Sequence, residues 1–184
     1  MSSLLLIAAY LASLNPMRTR LGVPEDDQGG ARMGVLGAGT GIGVLALALL
    51  AAASNSFLDA LEVSPETFRI AAGFVLVIVA AWMIFVPVPA PEPTPGGAVA
   101  ALWPVAYPRV ISPETVTLAL STGASDGLGL TVLGLVVAGA VLVAVGSVRA
   151  GPVAGSVMAS VGRVFAVVLV LIGIWLAIQG VREV

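Results

Sequence analysis

Residues 86–97 read VPVPAPEPTPGG. Pro87, Pro89, Pro91, Pro93 and Pro95 alternate with other residues. Proline lacks a backbone N–H and its ring clashes with the preceding helical turn, so no helix continues through this run. The expected conformation is extended polyproline II, a semi-rigid spacer. It places a linker at 87–96 between two halves, 1–86 and 97–184.

Both halves are strongly apolar. The 184 residues are 59% hydrophobic and 10% charged, with a mean hydropathy of +1.09. An ordinary soluble domain carries about 25% charged residues. This chain has too little polar material to cover a soluble surface of its size, and the composition excludes disorder and collagen-like sequence. A membrane protein is the expectation.

Charge-free runs give the number of crossings. They are 1–17, 33–58, 70–91, 93–108, 127–148 and 164–181. A crossing helix needs about 20 mostly apolar residues, fewer if it is broken inside the bilayer. The first run lacks the basic start and small-residue cleavage pattern of a secretory signal, so it counts as a membrane segment. The result is six segments, three on each side of the proline spacer. The expected fold is all-α: six transmembrane helices in two three-helix repeats. An odd number per half inserts the halves with opposite orientation, the inverted-repeat architecture of transporters.

Weak internal similarity agrees with this. The stretch FRIAAGFVLVIVAAWMIF from Phe68 resembles GRVFAVVLVLIGIWLAI from Gly162. Arginine placement sets the orientation. Arg18, Arg20, Arg32, Arg149 and Arg163 fall on one side, Arg69 and Arg182 on the other, and Arg109 in or near segment 4. The first side is expected to be cytoplasmic, with both termini on the outer face of an inner (plasma) membrane.

Counting also removes chemistry. The chain has no histidine and no cysteine, and all eight basic residues are arginine. Zinc sites of the usual kind, iron–sulfur clusters, disulfides, Ser–His nucleophiles and Schiff-base lysines are excluded. A net charge of −2 offers no basic field for nucleic acid. No cofactor, metal or enzymatic activity is expected.

Two segments carry helix breaks. In segment 1, Asn15-Pro16 places a good N-cap before a residue suited to the first helical position. In segment 4, Pro104, Tyr107-Pro108-Arg109 and Ser112-Pro113-Glu114 follow one another, with Ser112 as N-cap and Glu114 in the first turn. Paired broken helices at corresponding positions point to a transport site. A half-helix N-terminus offers free N–H groups and partial positive charge to an anionic or carbonyl-bearing ligand. The plainer alternative is a proline kink repaired by neighbours.

Arg109 and Glu114 flank the second break, and ionisable residues at membrane depth are candidates for function. Two arrangements are open: they pair with each other, or Arg109 clamps a phosphate or carboxylate while Glu114 carries a coupling proton. Arg18 is the counterpart beside the first break, unless it snorkels to the interface as Arg20 is expected to do. The acidic run Glu25, Asp26 and Asp27 reads as solvated loop. Ser64-Pro65-Glu66-Thr67 repeats the tetrapeptide of Ser112 to Thr115, and helix-start chemistry explains it. Gly37/Gly41 and Gly39/Gly43 form two GxxxG pairs suited to close packing within the bundle or in a homodimer. Trp82, Trp103 and Trp175 read as interface anchors.

These features resemble the MarC-type integral membrane proteins, within the wider LysE-like exporter group. The resemblance rests on Asn15-Pro16, on Phe68-Arg69-Ile70-Ala71-Ala72-Gly73, and on the Pro104, Pro108, Pro113 series. It implies six helices, two inverted halves and an inner-membrane location. Ser112-Pro113-Glu114 stands where that family has a Gly-Pro-Gly-like turn, and Arg18 and Arg109 beside the breaks also depart from it. Both departures favour an anionic headgroup.

The expected function is a small secondary transporter or flippase for an anionic or amphipathic substrate. A lipid-linked phosphate such as a polyprenyl carrier is one such class. Asn15, Pro16, Arg18, Tyr107, Pro108, Arg109, Ser112, Pro113 and Glu114 form the candidate substrate site. The expected partners are the bilayer, an anionic small molecule or lipid headgroup, and a second copy or another membrane protein. The alternative is a non-transporting subunit or scaffold acting through its GxxxG faces. An intramembrane enzyme using Glu114 or Asp126 lacks a second carboxylate or nucleophile placed beside either.

Overall fold

The computed structural model describes residues 1–21, 29–86, 98–148 and 152–184. The proline spacer, the acidic run at 25–27 and Arg149 lie outside them. The described residues are helical and contain no strand. The order is α1 (Ser3–Leu14), α2 (Pro16–Leu21), α3 (Gly29–Ala52), α4 (Ser54–Ala60) and α5 (Pro65–Phe85). Then come the single turn α6 (Ala98–Ala100), an irregular coil over Ala101–Val110, α7 (Pro113–Ser125), α8 (Leu128–Ser147) and α9 (Pro152–Glu183).

Four described stretches are long and apolar enough to cross a membrane: Met33–Ala52, Pro65–Phe85, Leu128–Ser147 and Gly155–Glu183. They match the second, third, fifth and sixth expected segments. The first and fourth are in pieces. Their breaks fall where proline chemistry predicts them, leaving helices too short to cross alone.

Helix starts follow the expected capping. Ser64 Oγ accepts from the Thr67 N–H at 3.3 Å and Pro65 opens α5. The SPET tetrapeptide there is a helix start, as read from its residue types.

Lipid is as apolar as leucine, so helices in a bilayer associate through close packing at small residues. Glycine contacts therefore show which faces meet. α5 and α9 form the most extensive pair. A Cβ added at Gly73 would lie 2.5 Å from the Gly173 carbonyl oxygen, and one at Gly173 would lie 2.8 Å from that of Gly73. Gly180 meets Ile70, and Arg69 pairs with Glu183, so these helices run antiparallel. Ala72, Leu76 and Ala80 recur every fourth residue and join Leu169, Ile172 and Leu176 in the core.

α3 and α8 are also antiparallel: Gly139 lies against Thr40 and Val44, and Gly146 against Leu36. Two further pairs are parallel. Gly39 meets Ala101 and Val105, and Gly43 meets Val110, so the irregular coil ascends alongside α3. Gly134 meets Leu6 and Tyr10, and Arg20 reaches Val148, so α1 and α2 ascend alongside α8. Of the two GxxxG pairs, Gly39/Gly43 is spent inside the bundle, whereas added methyls at Gly37 and Gly41 meet open space.

Candidate functional site

The first break is built by Asn15. Its backbone sits at φ 40° and ψ 73°, in the left-handed region that asparagine tolerates. Its N–H closes α1 on the Leu11 carbonyl at 3.1 Å. Its Oδ1 then accepts from the Arg18 N–H at 3.2 Å, capping α2, which Pro16 opens. Its Nδ2 donates to the Gly162 carbonyl at 2.8 Å, crossing to α9. One buried residue thus closes one helix through its backbone, starts the next through its side chain and ties the break to a third.

The second break spans Ala101–Val110. Trp103 and Tyr107 are extended, as residues before proline are. Ser112 and Thr115 then start α7: the Ser112 N–H donates to Thr115 Oγ1 at 2.9 Å, and the two hydroxyls lie 3.1 Å apart. Pro113 takes the first helical position and Glu114 the first turn, as expected from their residue types.

The structure brings the two breaks together. Arg109 Nη1 donates to the Thr19 carbonyl of α2 at 2.8 Å. Arg18 and Glu114 act on each other electrostatically across the gap. Arg109 and Glu114 form no ion pair, which removes that arrangement of the second break. Arg109 is instead turned back onto α2.

Arg18, Arg20 and Arg109 share one role, donating to carbonyls at helix ends. Such carbonyls lack partners within their own helix and carry partial negative charge. Arg18 Nη1 donates to the Met83 and Val86 carbonyls at 2.9 and 3.2 Å, closing α5. Arg20 Nε donates to the Val148 carbonyl at 2.7 Å, closing α8. Arg20 is buried, so the expected snorkelling role is replaced by a helix-capping one.

Not all candidate residues converge. Tyr107 and Pro108 are exposed, and the Tyr107 ring lies tilted against Trp103 with centroids 5.7 Å apart. These rings face outward, the disposition of interface aromatics. Pro113 is also exposed. Asn15, Pro16, Ser112 and Glu114 are buried, and Arg18 and Arg109 are half-buried.

Sequence reasoning missed a buried hydroxyl cluster. Tyr10 Oη lies 2.8 Å from Thr122 Oγ1, and Thr131 Oγ1 donates to Thr122 Oγ1 at 3.1 Å. Thr122 Oγ1 itself donates to the Leu118 carbonyl at 2.9 Å. The one available signal was the polarity of α7, PETVTLALSTGAS, in an otherwise apolar chain. Thr40 is the counter-case: its Oγ1 is buried and has no hydrogen-bond partner. Among the described residues no group of histidine, cysteine, aspartate or glutamate is placed to hold a metal ion. No family model, no curated protein and no solved structure matches this chain.

Proposed function

We propose that the chain is a small secondary transporter or flippase of the inner membrane. It moves an anionic or amphipathic substrate through a site between its two helix breaks. The observation that carries this reading is their convergence: Arg109 of the second break bonds the Thr19 carbonyl of α2, between otherwise apolar helices. Broken backbone and charge at membrane depth survive where protein or a water-filled path satisfies them.

Six passes and inverted halves are part of the proposal. Exchanging the halves maps α3 with α8 and α5 with α9 onto themselves, and α1 with α8 onto the irregular coil with α3. α3 with α8 and α5 with α9 are antiparallel, while α1 with α8 and the irregular coil with α3 are parallel. The broken segments also keep pace with unbroken ones. Residues 1–21 accompany α8 from the Met1–Asp126 pair to the Arg20–Val148 bond. α8 has 20 residues and so is about 30 Å long, the thickness of a bilayer core. The same counting lets 98–125 cross beside α3. The arginine asymmetry then puts both termini outside, and the MarC-type resemblance agrees in architecture.

Arg18 is the main anion contact in this reading. It spends Nη1 on helix-end carbonyls, leaving the rest of its fork for a phosphate or carboxylate. Rocking of one half against the other exposes the site alternately. The test is flux of a short polyprenyl phosphate across liposomes holding the purified chain. Arg18→Ala and Arg109→Ala should each lower flux at least tenfold, with helical content unchanged. Wild-type flux in both folded variants would refute the site.

A second reading is a scaffold or homodimer packed through α3. The open space at Gly34, Gly37 and Gly41 favours it. Gly37→Leu should then dissociate the assembly in a sedimentation experiment, while leaving a transporting monomer active if the first reading holds.

A further inference from the structure

We propose that Thr40 is a binding residue of the transport path, whose hydroxyl donates to a phosphate or carboxylate oxygen of the passing anion. The inference rests on the transport reading and adds a second station to it, deeper in the bundle than the arginines.

Thr40 is 4% exposed, and among the described residues its Oγ1 is the one buried side-chain nitrogen or oxygen without a hydrogen-bond partner. A hydroxyl on a helix ordinarily satisfies itself on the carbonyl one turn back. Thr117, Thr122, Ser125, Ser147 and Ser160 all do so here, each donating to the carbonyl four residues earlier. Thr40 makes no such bond to Leu36. An unpaired buried hydroxyl costs free energy, and valine fills the same space without that cost. Valine already does this one turn on: the Thr40 and Val44 methyls meet the same glycine, Gly139 of α8. Packing therefore does not call for a hydroxyl at position 40, whereas a ligand does.

Its place fits that use. Gly39 and Gly43 pack against Ala101, Val105 and Val110 of the irregular coil, while Thr40 and Val44 pack against α8. Thr40 thus stands at the corner where α3, α8 and the second break meet. Two further contacts close a ring of elements around that corner: Arg20 joins α2 to the end of α8, and Arg109 joins the coil to α2. These arginine bonds form the rim of the ring. Leu36 lies against Gly146, close to the Val148 carbonyl that Arg20 holds, so Thr40 is one turn deeper, about 6 Å. The described side chains of α3 and of α8 include no charged residue, so an anion leaving the rim meets no cationic side chain on either helix. The Thr40 hydroxyl is the donor placed to receive it. Glycine, alanine and valine contacts form the seam between α3 and the coil, and the hydroxyl becomes accessible when that seam parts.

The hydroxyl is unpaired in the empty site and paired in the loaded one. Binding thus removes a burial cost as well as forming a bond, and an analogue without an acceptor oxygen gains neither.

The test uses the full chain, with two probes run separately. One is inorganic phosphate in solution, and the other is farnesyl phosphate in the lipid. The first identifies a free anion as the source of the recognised group, the second a lipid headgroup. Affinity is read by titration of the purified chain and flux in liposomes. Thr40→Val keeps the shape and should melt at or above wild type, so misfolding cannot account for a loss. It should weaken affinity for the recognised probe about tenfold or more, the worth of a hydrogen bond to a charged group, and lower flux with it. Thr40→Ser keeps the hydroxyl and should retain wild-type affinity. Wild-type affinity in Thr40→Val overturns the proposal, because a merely structural hydroxyl moves the melt and not the binding. Equal loss in Thr40→Val and Thr40→Ser overturns it as well. If neither probe moves in the wild-type chain, the transport reading fails and takes this inference with it. If a probe moves and Thr40→Val moves it equally, only this inference fails.

Discussion

Gly73→Ala tests the most extensive helix pair, α5 with α9. The added methyl would stand 2.5 Å from the Gly173 carbonyl oxygen, 2.7 Å from the Ala177 nitrogen and 2.8 Å from the Ala177 Cβ. Two of these three neighbours are backbone, so no rotamer relieves the clash, and α5 and α9 must separate by roughly 1 Å to reach ordinary contact. Overpacking of this kind costs about 1–3 kcal/mol, and a backbone obstacle belongs at the upper end. Alanine in place of a helical glycine returns up to about 1 kcal/mol of propensity. The clash wins, leaving a net loss of about 1–2 kcal/mol. For a chain of this size each kcal/mol moves the melting temperature by about 2–4 °C, so Gly73→Ala should melt roughly 2–8 °C lower. Gly37→Ala is the matched control. Nothing lies within 4 Å of its added methyl, so only the propensity gain remains and the variant should melt at or above wild type. The assay is thermal unfolding followed by circular dichroism in one detergent for all three proteins. Equal melting of Gly73→Ala and Gly37→Ala would refute the close α5–α9 crossing.

Three further substitutions probe polar groups. Thr40→Val removes a buried hydroxyl without a partner and keeps the shape, so it should stabilise by about 1 kcal/mol in the same melt. Thr122→Val is the same chemical change with the opposite sign. It strands the Tyr10 and Thr131 hydroxyls and should cost about 1–3 kcal/mol, and a neutral result would mean that this cluster does not form. Asn15→Ala removes the α2 cap and the bond to the Gly162 carbonyl, for a loss of about 1–2 kcal/mol. Amide exchange should quicken over α2 in that variant, and unchanged protection there would count against the cap.

The elements were legible because their signals are local. Proline geometry ends α1 before Pro16 and starts α7 at Pro113 whatever surrounds them, and long apolar runs locate α3, α5, α8 and α9. Partners of the polar side chains were not legible. Arg109 and Glu114 are neighbours in sequence, yet the turn before α7 sends Arg109 to Thr19 and leaves Glu114 buried in the first turn of α7. Residue type alone gives Arg20 a side of the membrane but no partner. Its burial against the end of α8 depends on α2 and α8 running parallel, which no local pattern encodes.

The glycines divide in the same way. Gly37, Gly39, Gly41 and Gly43 are equivalent as a motif, and composition marks all four as places where helices can approach. Residues two apart on a helix point about 200° from each other, so only one of the two GxxxG pairs can face a given neighbour. The sequence by itself determined that this is a membrane-type helical chain, where its helices start, and where two of them break. Tertiary structure alone decided which glycine face is filled, which carbonyls the arginines close, and that the two breaks meet. Those outcomes depend on helix direction and rotation across long sequence separations, where apolar residues are interchangeable and only close contact selects among them.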